Sequence, residues 1–202
     1  EQAAGISREA LVDLPVRRYE GPIHLVATAA ELERAMADIR REEVVGLDTE
    51  TRPAFNKGES HLPALVQVAT ARAVYLFPLR HAACHAGLAE LLTAPGIVKA
   101  GIALAHDLRQ LKLVFTFESA AVLDLGQVAR RRGLRQTGLR NLAGLLLGFR
   151  IAKGARTTNW AAQTLSPAQV RYAATDAWAC RVLYLRCAEL GWLGSGDAGR
   201  QA

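Results

Sequence analysis

The predicted fold is built around one apolar strand, Val44-Val45-Gly46-Leu47-Asp48-Thr49-Glu50, which ends in two acids. Because side chains in a strand alternate between its faces, Asp48 and Glu50 lie on the same face. Two like charges at the end of a central strand repel each other and lose solvation. A divalent cation such as Mg²⁺, which prefers hard oxygen ligands, relieves both costs. Taken alone, the pair fits two solvated acids at a strand end better than a metal site.

The segments around this strand alternate between strand and helix patterns. Strands are predicted at 23–26, 44–50, 65–69, 73–77 and 97–100, with a further short apolar segment at 122–125. Helices are predicted at 29–41, 82–92, 104–114, 138–147 and 167–189. The last of them starts at Ser166 and Pro167, a favoured N-cap and first helical residue. This order predicts an α/β fold with a mixed β-sheet flanked by helices.

Length and composition set the broad class. The chain has 202 residues, of which 50% are hydrophobic and 22% charged, as in a globular domain. Three cysteines without a C-x-x-C pair do not make a disulfide framework, and no apolar run reaches the roughly 18 residues of a membrane span. We therefore expect one domain at 22–191 with a weakly anchored lead-in at 1–21 and a flexible tail at 192–202. We also expect reduced thiols, a cytoplasmic location (with the nucleoid in a bacterium, in the nucleus of a eukaryote) and no membrane partner.

Positive charge is concentrated in the second half of the chain. The formal net charge is +6, and residues 130–156 contain eight bases and no acid. These bases are Arg130, Arg131, Arg132, Arg135, Arg140, Arg150, Lys153 and Arg156. A basic stretch of this kind attracts polyanions and contacts phosphates, but it also fits an ordinary solvated surface. Charge alone leaves these two interpretations about equal.

Three further polar residues stand in contexts typical of an active site. Asp107 lies close to the start of a helix that follows a predicted strand, where an acid is also favoured by the helix dipole. Tyr172 and Asp176 are four residues apart on the last helix and share a face. Singly, each fits an ordinary structural role better than a catalytic one.

Taken together, these motifs resemble those of a known family. Asp48-Thr49-Glu50, Asp107 within Gly101-Ile-Ala-Leu-Ala-His-Asp107, and Tyr172-Ala-Ala-Thr-Asp176 resemble the three motifs of the DEDDy 3′–5′ exonucleases. The similarity covers about 22–190 and is greatest to the branch of ribonuclease D and the Werner-syndrome exonuclease domain. A sister subclass of these exonucleases has a histidine five residues before the aspartate of the third motif. This chain has Arg171 at that position. The tyrosine subclass is therefore indicated.

The resemblance implies a ribonuclease H-like fold and a two-metal hydrolysis of phosphodiesters. Two Mg²⁺ or Mn²⁺ ions would be held by Asp48, Glu50, Asp107 and Asp176, with Asp48 bridging both ions. Tyr172 would orient the attacking water and not remove its proton, because the reference pKa of tyrosine is about 10. The product would be a 5′-mononucleotide released from the 3′ end.

The expected partner is a single-stranded or 3′-ended nucleic acid. Lys153, Arg156 and Trp160 are candidates for lining the path of the strand, although core packing of Trp160 is slightly favoured. Thr49 and Thr51 are candidates for contacting the terminal nucleotide. No nucleoside triphosphate is expected, because the chain lacks a phosphate loop that ends in Lys-Ser/Thr.

The choice between DNA and RNA stays open. DNA is favoured because the chain ends before the additional helical domains of ribonuclease D would begin. An RNA-trimming enzyme is the alternative. A catalytically silent nucleic-acid-binding module is a third and weaker interpretation, since all five motif residues are present.

Overall fold

The structure is a computed structural model that describes residues 5–54, 56, 58–152, 154 and 157–194. Six strands form the central sheet: β2 (Ile23–Leu25), β3 (Val44–Thr51), β4 (Pro63–Ala69), β5 (Val74–Pro78), β6 (Val98–Gly101) and β7 (Val122–Asp124). A separate two-stranded sheet pairs β1 (Val16–Arg17) with β8 (Arg150–Ile151). The helices are α1 (Arg8–Asp13), α2 (Ala29–Ile39), α3 (His85–Thr93), α4 (Leu104–Leu111), α5 (Leu125–Arg131), α6 (Leu139–Leu142) and α7 (Pro167–Glu189).

The central sheet is mixed, as the sequence predicts. Its strand order is β2-β5-β4-β3-β6-β7, so β3 lies in the interior of the sheet. β3 pairs antiparallel with β4 and parallel with β6, and β6 continues parallel to β7. The carboxyl ends of β3, β6 and β7 therefore meet at one edge of the sheet, which is where ligand sites of open α/β sheets usually lie.

Helices cover both faces of the sheet. On one face, Val45 and Leu47 of β3 share a hydrophobic core with apolar residues of α2, α3 and α4. On the other face, α7 packs along β3 and β4 with small residues, among them Ala173, Ala174 and Ala177. The alternation of the strand thus directs Asp48 and Glu50 toward α7.

The contact between α7 and β3 is close enough to require glycine. A Cβ atom at Gly46 would overlap the carbonyl oxygen of Ala177 and lie 2.8 Å from the backbone nitrogen of Arg181. The guanidinium of Arg181 in turn donates to the carboxylate of Glu42, 3.0 Å away, just before the strand. The helix backbone therefore rests directly on the strand.

The N-terminal segment differs from its prediction. Residues 5–20 are anchored, and the expectation of a weakly anchored lead-in is wrong for them. The amide of Ile6 donates to the Gln136 side chain at 2.9 Å, and Leu11 lies over Gly144. The amide of Tyr19 donates to the Thr175 hydroxyl at 3.1 Å. Contacts between residues 130 or more positions apart leave no local pattern in the sequence.

Two other segments also depart from expectation. The helix predicted at 138–147 is the short α6 followed by a π-helical turn at Ala143–Leu147, a form often found next to functional sites. Trp192 and Leu193 pack against the core, and residues 195–202 of the predicted tail lie outside the described residues. Within the parts of the chain that the structure describes, no helix is both long and apolar enough to cross a membrane.

Replacing Gly46 by alanine tests the strand–helix contact. We expect Gly46→Ala to lower the free energy of unfolding by about 1–3 kcal/mol, because the new methyl group forces α7 off the strand. Gly96→Ala is the matched control, since a Cβ there meets no atom within 4 Å. Urea denaturation measures both variants, and equal stability of the two would contradict the proposed contact.

Candidate active site

Three carboxylates meet where α7 passes the end of β3. One carboxylate oxygen from each of Asp48, Glu50 and Asp176 lies within 4.8 Å of the other two. Glu50 and Asp176 are each only 8% exposed. Because Asp176 directly precedes Ala177, the contact at Gly46 brings it beside the strand. The structure therefore joins two of the predicted motifs into one acidic cluster.

The electrostatics of this cluster are unfavourable without a cation. Burial raises the pKa of Asp48 well above its usual range, and the charges of Asp176 and Asp107 raise it further. The backbone amide of Thr49 donates to Asp48 at 2.9 Å and offsets a part of this shift. Hard carboxylate oxygens in this number are a donor set that fits Mg²⁺ or Mn²⁺.

Asp107 reaches the cluster from the opposite face of the sheet. It stands in the first turn of α4, which begins after Ala103 in the left-handed conformation, with φ 55°. The hydroxyl of Thr49 donates to Asp107 at 2.9 Å, so the strand between Asp48 and Glu50 also positions the fourth acid. Burial raises the pKa of Asp107 as well. The structure thus places Asp107 beside the three-acid cluster and outside its 4.8 Å set.

Tyr172 stands one helical turn before Asp176 and is hydrogen-bonded to it. Burial and the negative charges of Asp176 and Glu50 raise the pKa of Tyr172 well above its usual value. The hydroxyl therefore stays protonated near neutral pH and serves as a hydrogen-bond donor. Its ring is held between Trp160, with centroids 6.0 Å apart, and Gly154, where a Cβ would lie 2.6 Å from the ring.

Sequence reasoning missed two residues beside the acids. Arg140 and Asn141, at the start of α6, line the same cavity of about 360 Å³ as Asp48, Tyr172 and Asp176. Arg140 is the positive charge that acts on Tyr172. From the sequence alone, Arg140 is placed in the basic stretch and is given no role at the acids. The available signal was its place in the Gly138-Leu-Arg-Asn-Leu segment shortly before the third motif.

Gln67 is a third residue that sequence reasoning missed. It lies on β4 directly opposite Asp48. Its side chain is fully buried, and neither its oxygen nor its nitrogen has a hydrogen-bond partner among the described residues. Leaving a buried amide unpaired costs about 1–3 kcal/mol. The only sequence signal was one polar residue inside an otherwise apolar strand.

The comparisons with known proteins agree with this geometry. Residues 23–188 match the family described as 3′–5′ exonuclease. The chain belongs to this family. The sequence predictions of a DEDDy-type exonuclease and of a ribonuclease H-like fold are thereby confirmed.

Individual relatives show how far the similarity extends. Ribonuclease D of Gluconacetobacter diazotrophicus is 33% identical over 164 residues, which cover 79% of this chain and 41% of the relative. The bifunctional 3′–5′ exonuclease/ATP-dependent helicase WRN of Mus musculus is 29% identical over 203 residues, covering 95% of this chain and 14% of the relative. The chain thus spans less than half the length of either protein. The crystal structure of the Aedes aegypti Nibbler EXO domain has the same fold, with a TM-score of 0.74 at 23% identity, covering 87% of this chain and 93% of that one.

The residues predicted to bind substrate have different outcomes in this exonuclease domain. The hydroxyl of Thr49 is engaged with Asp107, and Thr51 lies past an irregularity in the pairing of β3 with β4. Trp160 is 1% exposed and packs in the core, so in this conformation it has no surface for stacking on a base. Lys153 and Arg156 lie outside the described residues.

Removing the Thr49 hydroxyl tests its role in positioning Asp107. We expect Thr49→Val to raise the Mg²⁺ concentration needed for half-maximal exonuclease activity by about tenfold or more, as for other residues that orient metal ligands. Thr49→Ser keeps the hydroxyl and is the control. A rise in KM for the nucleic acid with unchanged metal dependence would instead support direct contact with the nucleotide.

Replacing Asp48 tests the electrostatic description without measuring activity. In chelator at neutral pH, we expect Asp48→Asn to raise the free energy of unfolding by about 1 kcal/mol or more, because one pKa unit corresponds to about 1.4 kcal/mol. The native wild type binds more protons than the unfolded chain between the ordinary and the raised pKa of Asp48. Its stability therefore falls as pH rises through that window.

The control for Asp48→Asn is Asp13→Asn, at an exposed position in α1. It should leave this pH dependence unchanged. Mg²⁺ should raise the Tm of wild type more than that of Asp48→Asn. Urea denaturation at several pH values and thermal melts measure these effects, and a less stable Asp48→Asn protein in chelator would contradict them.

Proposed function

We propose that this domain hydrolyses the terminal phosphodiester at the 3′ end of a nucleic acid strand with two bound divalent ions. The single observation that carries the proposal is the convergence of three carboxylates, the buried Glu50 and Asp176 and the partly buried Asp48, with Asp107 and Tyr172 beside them. Asp48, Glu50 and Asp176 would hold the ions, and Asp107 would support the second. When bound, such ions lower the pKa of water and stabilise charge on the entering and leaving oxygens.

The protein's own groups then have separate tasks. Tyr172, fixed through Asp176 and the Trp160 ring, holds the attacking water by hydrogen bonding and keeps its own proton. Arg140 lies on the wall of the cavity. Its positive charge attracts the phosphate of the terminal phosphodiester, which is the bond to be cleaved. Because Asp48, Asp176, Tyr172 and Arg140 line the same cavity, one terminal nucleotide can contact the acids, the tyrosine and the arginine together.

DNA, single-stranded or with an accessible 3′ end, stays the favoured substrate. RNA is the second candidate, favoured by the 33% identical relative named ribonuclease D. The two differ at the 2′-hydroxyl, which a protein must contact to distinguish them. A cytoplasmic location also stays a prediction.

The function is tested with 5′-labelled single-stranded DNA and RNA, in Mg²⁺, in Mn²⁺ and in chelator. We expect a metal-dependent ladder that shortens from the 3′ end. Asp176→Asn should reduce the rate by about a thousandfold, since a bound metal is worth several kcal/mol in the transition state. Asp13→Asn serves again as the control and should retain the wild-type rate.

The competing interpretations have distinct outcomes. A folded protein that binds both strands but yields no ladder in either metal would be the silent binding module. Equal rates for wild type and Asp176→Asn would place the chemistry elsewhere. The ratio of the DNA and RNA rates decides the substrate.

A further inference from the structure

A second cavity shares Tyr172 with the cavity that the acids line, but none of the acids lines it. It has a volume of about 260 Å³ and lies between the first turns of α7, the segment after β8 and the N-terminal segment. The lining residues that matter here are Arg18, Ile151, Ala152, Pro167, Arg171 and Tyr172. Among the described residues the walls are largely apolar, and the two arginines are the charged groups that line the cavity. We call it the arginine cavity.

Arg18 is held in place although its side chain is exposed. The residue before it, Arg17, pairs with Ile151 in the small sheet. The residue after it, Tyr19, donates its amide to the hydroxyl of Thr175. No acidic partner of Arg18 is found in the part of the chain that the structure describes. Its guanidinium is therefore free to bind an anion.

Arg171 contributes the second positive charge. It directly precedes Tyr172 on α7, and its carbonyl accepts the hydroxyl of Thr175 at 2.7 Å. Among the described residues it forms no ion pair. The first turn of α7 carries no acid, so the positive end of the helix dipole at Pro167 and Ala168 adds to the field of both arginines. The cavity therefore favours negatively charged groups.

Tyr172 connects the arginine cavity to the candidate active site. Its side chain lines both cavities. A 3′–5′ exonuclease has only one nucleotide on the 3′ side of the bond that it cleaves. With that nucleotide in the cavity beside the acids, as the proposed function has it, the part of the strand that reaches past Tyr172 into the arginine cavity lies on the 5′ side of that bond.

We propose that the arginine cavity binds the substrate strand on the 5′ side of the scissile bond. Arg18 and Arg171 contact backbone phosphates, and the apolar wall formed by Ile151, Ala152 and Pro167 receives a base or sugar. Guanidinium groups suit phosphate because they form paired, charge-assisted hydrogen bonds. This inference rests on the proposed function and assigns to it a strand-binding subsite.

The test measures binding without degradation. Every protein carries Asp176→Asn and is titrated with 5′-fluorescein single-stranded oligonucleotides of two, four and ten residues in Mg²⁺. The cavity variant adds Arg18→Ala and Arg171→Ala. The matched control adds Arg34→Ala and Arg41→Ala, which remove the same charge around α2, beside a separate surface groove.

We expect the cavity variant to bind the ten-residue strand about tenfold or more weakly than its parent, for both DNA and RNA, because two charge-assisted contacts are lost. The loss should grow with strand length. The slope of log K against log salt should decrease by about 0.7 for each phosphate contact removed. The control should bind like its parent.

Other results would overturn the inference. The first is an equal loss of strand affinity in the cavity variant and in the control variant. The second is a slope of log K against log salt that does not change in the cavity variant, and the third is a parent protein that does not bind the strands. Degradation by the wild-type protein distinguishes failure of this inference about the arginine cavity from failure of the proposed exonuclease function. In the first case the wild-type protein still degrades strands from the 3′ end, and in the second it yields no ladder.

Discussion

The backbone contact between α7 and β3 at Gly46 determines the position of the candidate active site. No side chain separates the helix from the strand there, because a Cβ atom at Gly46 would overlap the carbonyl of Ala177. Asp176, one residue earlier on α7, is therefore placed beside Asp48 and Glu50. Small side chains along the rest of the interface allow the same close approach. A larger residue at this crossing would separate the acids and remove their common ligand geometry.

The same geometry lowers the stability of the fold when no metal is bound. Burial, together with the negative charges of Asp176 and Asp107, raises the pKa of Asp48. Gln67 adds a buried amide without a partner among the described residues. Such costs persist where a ligand relieves them, and proteins concentrate them at functional sites. Donors such as the Thr49 amide and hydroxyl orient two of the acids without neutralising them.

Much of the fold could be predicted because its signals are local. The alternation in 44–50 identified β3 and the common face of its two acids, and Ser166 and Pro167 located the start of α7, where the structure has a capping box with Gln169. The π-helical turn after α6 could not be predicted, since its apolar pattern also fits an α-helix. The anchored N-terminal segment was missed because its partners, such as Gln136 and Thr175, are far along the chain.

By itself, the sequence located the strands of the central sheet and most of the helices that cover it, and it singled out four acids and a tyrosine as candidate site residues, because spacing and capping act over a few residues. Tertiary structure alone decided which polar groups share a cavity. It placed Arg140 beside Tyr172, buried Trp160 behind that ring, and brought Arg18 to Arg171 across more than 150 residues of chain. The physical reason is that such contacts follow from how whole elements pack, and the spacing of residues along the chain does not record that packing.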